Sequence, residues 1–238
     1  MNFPAILGQA KGLASAAKML GAAYRWERDR RVQNLLQVMG LELARKHKLS
    51  DAQVESLVKG SMNAAIRDII YSAANKALLA ESTLGIRMMA IMSAKHIHDR
   101  ASFTYDDVQV LRALQELTDD EIIFAKKLAE LHSAGQFPAD ATTPNTPPEQ
   151  RMVRPNEDFF NLFDFPREQF IPKVEALKKH GILADNPSGF MDTMGGWGYA
   201  RVCETTRVFA KLAEDASGYS DADIQTEDFD KFCREHGT

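Results

Sequence analysis

Five of the nine prolines fall in one short stretch, at Pro138, Pro144, Pro147, Pro148 and Pro155. Proline lacks the amide hydrogen that a helix or a central strand needs, and its ring clashes with the preceding turn, so no regular element crosses this stretch. Thr142, Thr143, Asn145 and Thr146 lie among the prolines and offer little apolar surface to bury. The segment 133–157 therefore reads as a linker. It divides a helical domain, residues 1–132, from a smaller module at 158–217, and an acidic tail follows at 218–238.

Upstream of the linker the apolar residues recur at helical spacing. Residues 3–22 are rich in Ala and Gly, with Phe3, Ile6, Leu7, Ala10, Leu13, Ala14, Ala17 and Leu20 in one stripe. A second helix is expected over 24–48, its core face carrying Val32, Leu35, Leu36, Met39 and Leu43. Ser50 and Gln53 form a capping box ahead of a third apolar run, which continues through Ile66, Ile69, Ile70 and Leu78. Ser82 is placed to cap the segment that carries Met88, Met89 and Met92, for which core filling is the expected role. Thr104 with Asp107 and Thr118 with Glu121 mark two further helix starts. About seven helices and no strand are expected through residue 132.

Downstream the pattern changes. Phe159, Phe160, Phe163, Phe165 and Phe170 cluster around Pro166, and a helix is expected to run to His180 with Gly181 as its C-terminal cap. Ile182-Leu183 can begin a strand, Asp185 to Gly189 can turn, Gly195-Gly196-Trp197-Gly198 can bend, and Tyr199 to Val202 can return. Thr205 is expected to cap a closing helix with Val208, Phe209 and Leu212 on its apolar face. The tail has Ile224, Phe229 and Phe232 among many acids, enough to dock one short helix, and partial disorder is an equal alternative.

The run Leu177-Lys178-Lys179-His180-Gly181-Ile182-Leu183, then Tyr199, then Thr205-Thr206-Arg207-Val208-Phe209, resembles the end of a winged-helix domain. The layout of helices first and this module last is similar to that of bacterial and phage proteins of the abortive-infection alpha type. The resemblance covers about 50 residues. It implies a mainly α fold, with a multi-helix N-terminal domain and a small winged-helix-like α+β C-terminal domain, and a setting in phage–host conflict.

Candidate contact residues fall in three places. Arg25, Arg28, Arg30 and Arg31, with Tyr24 and Trp26, could grip phosphates and stack on bases, or could form a solvated helix face paired with Glu27 and Asp29. In the winged-helix reading residues 167–180 are the recognition helix, with Arg167, Lys173, Lys178 and Lys179 towards DNA and Arg201 near the wing. Glu168 and Glu175 dilute that charge, so a protein contact is preferred, with Trp197 as its anchor at the wing tip. His96-Ile97-His98-Asp99 has two histidines whose spacing sends them to different sides of a helix, a poor chelate.

Composition narrows the function classes. The chain is 45% hydrophobic and 26% charged, in the range of a folded globular protein rather than a disordered one. Cys203 and Cys233 are the only cysteines, too few for a disulfide scaffold or a four-cysteine zinc site. A net charge of -4 excludes a strongly basic nucleic-acid coat, although residues 1–132 hold 18 Lys/Arg against 15 Asp/Glu and the remainder 11 against 18. Lys11 and Lys18 interrupt the apolar N-terminal stretch, so a secretory leader is not expected and the expected location is the cytoplasm. Residues 3–22 could instead lie on a membrane surface or mediate homo-oligomerisation. No serine, cysteine or metal-protease signature and no Walker sequence occurs. The expectation is a non-enzymatic protein-interaction or regulatory protein with a protein partner and neither cofactor nor metal. A winged-helix DNA-binding regulator is the alternative, and an enzyme of unrecognised type comes third.

Limited proteolysis with a non-specific protease should place its first cuts between residues 133 and 157. Early cutting elsewhere, with this stretch resistant, contradicts the division.

Overall fold

The computed structural model describes residues 27–50, 52–53, 64–135, 161–163, 165–185 and 200–220. The chain is mainly helical. Helix α1 occupies 27–45, and α2 Ala64–Leu79, α3 Thr83–Asp99, α4 Tyr105–Glu116 and α5 Asp119–Ser133 follow. A 3-10 turn at Arg167–Gln169 leads into α6, Phe170–Lys179. Strands β1 (Leu183–Asp185) and β2 (Ala200–Val202) pair antiparallel, Leu183 opposite Val202, and α7, Glu204–Ser217, closes the described chain.

The helix starts follow from local chemistry. Thr104 accepts from the Asp107 amide, and the Asp107 carboxylate accepts from the Thr104 amide at 2.7 Å. Thr118 and Glu121 repeat the arrangement, as do Ser50 and Gln53. Ser82 accepts from the Gly85 amide at 2.6 Å and its hydroxyl donates to Asp119, whose carboxylate also accepts from the Leu84 amide at 3.0 Å. One carboxylate at the start of α5 thus satisfies orphan donors at the start of α3 and ties the two N-termini together. Gly85 allows α3 to approach α4 closely, because a Cβ there would lie 3.0 Å from the Leu114 carbonyl oxygen.

The C-terminus of α6 is set by Gly181 in the left-handed conformation, φ 69°. The Ile182 amide donates to the Leu177 carbonyl and the Gly181 amide to Lys178, each at 2.9 Å. That is a Schellman motif, and its two apolar residues, Leu177 and Ile182, are fully buried.

Helices α3 and α5 are the centre of the molecule. Helix α3 packs on α2, α4 and α5, while α7 lies against both α5 and α3. Met88 and Met89 are completely buried and Met92 nearly so, which is the core role their spacing suggested. Phe124 of α5 meets Phe163, Phe165 and Phe170 edge-on, with ring centroids 5.2–5.4 Å apart. One apolar cluster includes residues from Leu35 to Leu131 and from Phe163 to Tyr219. The closing helix shares that core with the helices of the first half, and no other described core belongs to it alone.

The start of α7 differs from expectation. Cys203, rather than Thr205, occupies the capping position, because β2 ends at Val202 and the chain enters the helix immediately. The fully buried Thr206 hydroxyl reaches back, accepting from the Cys203 amide at 3.0 Å and donating to the Ile182 carbonyl. It therefore ties α7 to the entry of β1. The helix expected at 3–22, Phe159 and Phe160, most of the linker, the turn at 186–199 and the tail from 221 lie outside the described residues.

Thr206→Val removes this hydroxyl at nearly constant shape, takes away the side-chain acceptor of the Cys203 amide and leaves the Ile182 carbonyl only the weaker Cys203 thiol at 3.5 Å. It should destabilise the fold by about 1–3 kcal/mol, read as a lower urea midpoint with unchanged slope.

Candidate functional site

The basic residues of α1 are engaged within the molecule. Arg30 bonds both Glu27 oxygens at 3.0 Å, and Arg31 reaches Glu27 at 3.0 Å and the Ala80 carbonyl at 2.6 Å. Arg31 therefore ties α1 to the turn between α2 and α3. Arg28 is half-exposed beside Asp29 at 3.3 Å. Burial acts to raise the Glu27 carboxyl, but the two arginines together outweigh it and hold the group below its ordinary value. Arg25 and Trp26 lie outside the described residues.

The lysines of α6 are likewise compensated. Lys178 pairs with Glu175 on its own helix at 3.1 Å, and Lys179 with Glu116 of α4 at 2.8 Å. Lys173 points inwards: it is 8% exposed, with its ammonium 5.3 Å from the centre of the Phe165 ring. Arg201 is backbone-paired with Ala184 in the strand ladder, while its side chain and Trp197 lie outside the described residues. None of these lysines is brought into contact with the arginines of α1.

What the fold does assemble is a cleft of about 670 Å³ where α1, α3, α4 and α7 converge. Ile91, Met92, Val208 and Leu212 give it an apolar floor, and Val208 is 48% exposed. Lys46, Lys95, Arg207 and Lys211 line it together with Glu42, Asp99, Asp107, Glu204 and Asp215. The signs alternate through ion pairs: Lys46 bridges Glu42 at 3.4 Å and Asp215 at 3.1 Å, and Lys211 lies 3.5 Å from Asp215. Glu42 is almost wholly buried, and its second partner is the Tyr219 hydroxyl, which holds the end of α7 to α1. No hydroxyl or thiol is among the lining residues, and the polar groups of the cleft are carboxylates, amines, one guanidinium and imidazoles.

Three histidines line one wall. His47, in the turn after α1, stacks on His98 of α3 with ring centroids 4.2 Å apart and planes 25° from parallel. His98 faces the Asp99 carboxylate through Nδ1 at 2.9 Å, and His96 faces Asp107 through Nε2 at 3.1 Å. Burial, then the neighbouring His98, lowers the His47 pKa against the weaker opposing pull of Glu42 and Asp99. The His98 hydrogen bond is the main cause that holds Asp99 low. At Asp107, burial acts upwards and is outweighed by the Thr104 hydrogen bonds and His96. Among the described residues no group of three or more His, Cys, Asp or Glu is arranged to hold a metal.

The spacing of His96 and His98 predicts different sides of a helix, yet both line the same cleft, His96 turned to Asp107 and His98 to His47 and Asp99. The sequence does not single out His47, which meets His98 only through the packing of the end of α1 against α3. A histidine at a helix end is a common dipole feature, so nothing in its local context singles it out. No helix among the described residues is long and apolar enough to cross a membrane. No protein-family model, curated protein or solved structure matches the chain.

His180 is also lowered, chiefly by burial. Above the ordinary histidine value of 6.5 both folded and unfolded chains are neutral at these positions. Below it the unfolded chain takes up protons that the native state resists, so stability falls as pH falls. Thermal melts should show Tm dropping from pH 7 to pH 5.5 (about one unit below the ordinary value). His47→Phe, which keeps a ring in the stack, should flatten that slope.

Proposed function

We propose that this chain is a non-enzymatic interaction or regulatory protein whose partner is a protein, seated in the cleft between α1, α3, α4 and α7. The observation that carries this is the sign pattern of the charges. A polyanion needs a field of one sign, since phosphate neutralisation supplies most nucleic-acid affinity. The cleft instead alternates cations and carboxylates above an apolar floor, which matches a polypeptide segment with mixed charges and one or two apolar anchors.

The rival is a winged-helix DNA-binding regulator. What supports it is the order α6, β1, β2, α7, which is compatible with that layout; the segment that would form the wing, 186–199, lies outside the described residues. Against it, Lys178 and Lys179 each have a carboxylate partner and Lys173 is turned into the core, so the helix that would enter a groove presents little free positive charge. The module in this reading is winged-helix-like in layout and works as a protein-contact element. The bacterial or phage setting, with its link to phage–host conflict, rests on the resemblance of residues 177–209.

Fluorescence anisotropy with random-sequence duplex DNA should detect no binding that falls steeply between ~50 and ~200 mM salt. Affinity capture from the native cell should return a protein that Arg207→Glu with Val208→Asp releases, while the melting behaviour of that variant stays near wild type. Steep salt-dependent DNA binding that is lost on Lys178→Ala with Lys179→Ala would establish the rival instead.

A further inference from the structure

Along the face of α5 that carries Asp120, Ile123, Phe124 and Lys127, a second pocket of about 300 Å³ opens beside the phenylalanine cluster. It shares no lining residue with the cleft. Phe124, Phe163 and Phe165 form its walls, and Ile123 and Leu162, both substantially exposed, border it. Its polar groups are Lys127, Lys173 and Asp120. The volume lies at the lower end for ligand pockets, which suits a body of one ring or one branched chain.

The chemistry of Lys173 is the unusual element. Its side chain is only 10% exposed, and an ammonium carries three donors. Among the described residues those donors find no hydrogen-bond acceptor. The nearest carboxylate, Asp120, is 3.9 Å away and is itself 82% exposed, and the remaining contact is the face of Phe165. The ammonium is not sealed from solvent, and the face of Phe165 gives it a cation–π contact. The space beside it is the pocket. Lys127, on the same helix as Phe124 and one exposed turn away, makes no ion pair or hydrogen bond among the described residues. The pocket therefore combines aromatic walls, a lysine whose stem is largely buried and, at its edge, a second lysine with no ion pair among the described residues.

We infer that this pocket binds a small hydrophobic monocarboxylate, with its carboxylate between Lys173 and Lys127 and its apolar body against Phe124, Phe163 and Phe165. The carboxylate takes the place of water at the Lys173 ammonium, in a site where a charge-assisted hydrogen bond is strengthened by the apolar surround. Asp120 competes for the same ammonium and repels the incoming anion. It acts as the counter-ion of the empty state and sets the affinity. The inference goes beyond the protein-interaction reading and does not depend on it.

The test is calorimetry and amide chemical-shift mapping on the full chain, with 3-phenylpropionate and 4-methylvalerate as probes and 3-phenylpropionamide as the uncharged control. The acids should bind and shift the amides of residues 120–127 and 163–173, and the amide should bind about tenfold more weakly or worse. Lys173→Met keeps the side-chain length and should abolish the preference for acid over amide. Asp120→Asn should tighten acid binding several-fold and leave amide binding unchanged. That surface substitution keeps the test decisive even if Lys173→Met proves unstable. Equal binding of acid and amide, no effect of Asp120→Asn, or no binding of either acid at millimolar concentration overturns the inference.

Discussion

Helix α7 lies across α5 and α3 with Phe209, Ala213 and Ala216 buried, and much of what the molecule presents follows from that contact. Burying a phenylalanine of this kind is worth about 1.5–3 kcal/mol, and the alanines let the helices approach closely enough to sustain it. The contact is secured at both ends. Thr206 ties the start of α7 to the entry of β1, and Tyr219 ties its end to Glu42 of α1. Arg87 of α3 adds a third tether by donating to the Tyr219 carbonyl at 2.6 Å. With α7 held in place, its outer face becomes the wall of the cleft, and Arg207, Val208 and Lys211 become lining residues rather than free surface.

The same packing explains why charge is distributed as it is. Lysines and arginines that look available along the chain are mostly turned towards carboxylates when the helices assemble. Such exposed pairs contribute little to stability, since solvent screens them. Their consequence is for recognition: they cancel the long-range positive field that would draw a polyanion. Lys173 departs from this pattern because its neighbours are rings and its carboxylate is distant, and Lys127 because it has no ion pair among the described residues. The two therefore stand out as two cations beside the single exposed carboxylate of Asp120.

Much of the helical part was legible in order of residues. The boxes Thr104/Asp107 and Thr118/Glu121 and the cap at Ser82 act over three residues, so the chain carries the whole instruction locally. Gly181 is equally local, because only a residue free to adopt positive φ can end α6 with that motif at little strain. The short antiparallel pair was legible from its flanking turn residues. The start of α7 lies two residues before the expected Thr205 because Cys203 is not a usual cap residue and its role depends on β2 ending at Val202. Only the position of β2 decides which hydroxyl faces the Ile182 carbonyl.

The sequence by itself determined that this is a mainly helical protein and where α3, α4 and α5 begin, because those caps are encoded within a few residues, whereas the expected core residues Leu36 and Val208 are exposed. Tertiary structure alone decided which charges are cancelled, that His47 meets His98, and that Lys173 lies among phenylalanines rather than on a recognition face. Those outcomes join residues far apart in the chain, and their energies depend on distance and desolvation, which no local pattern contains.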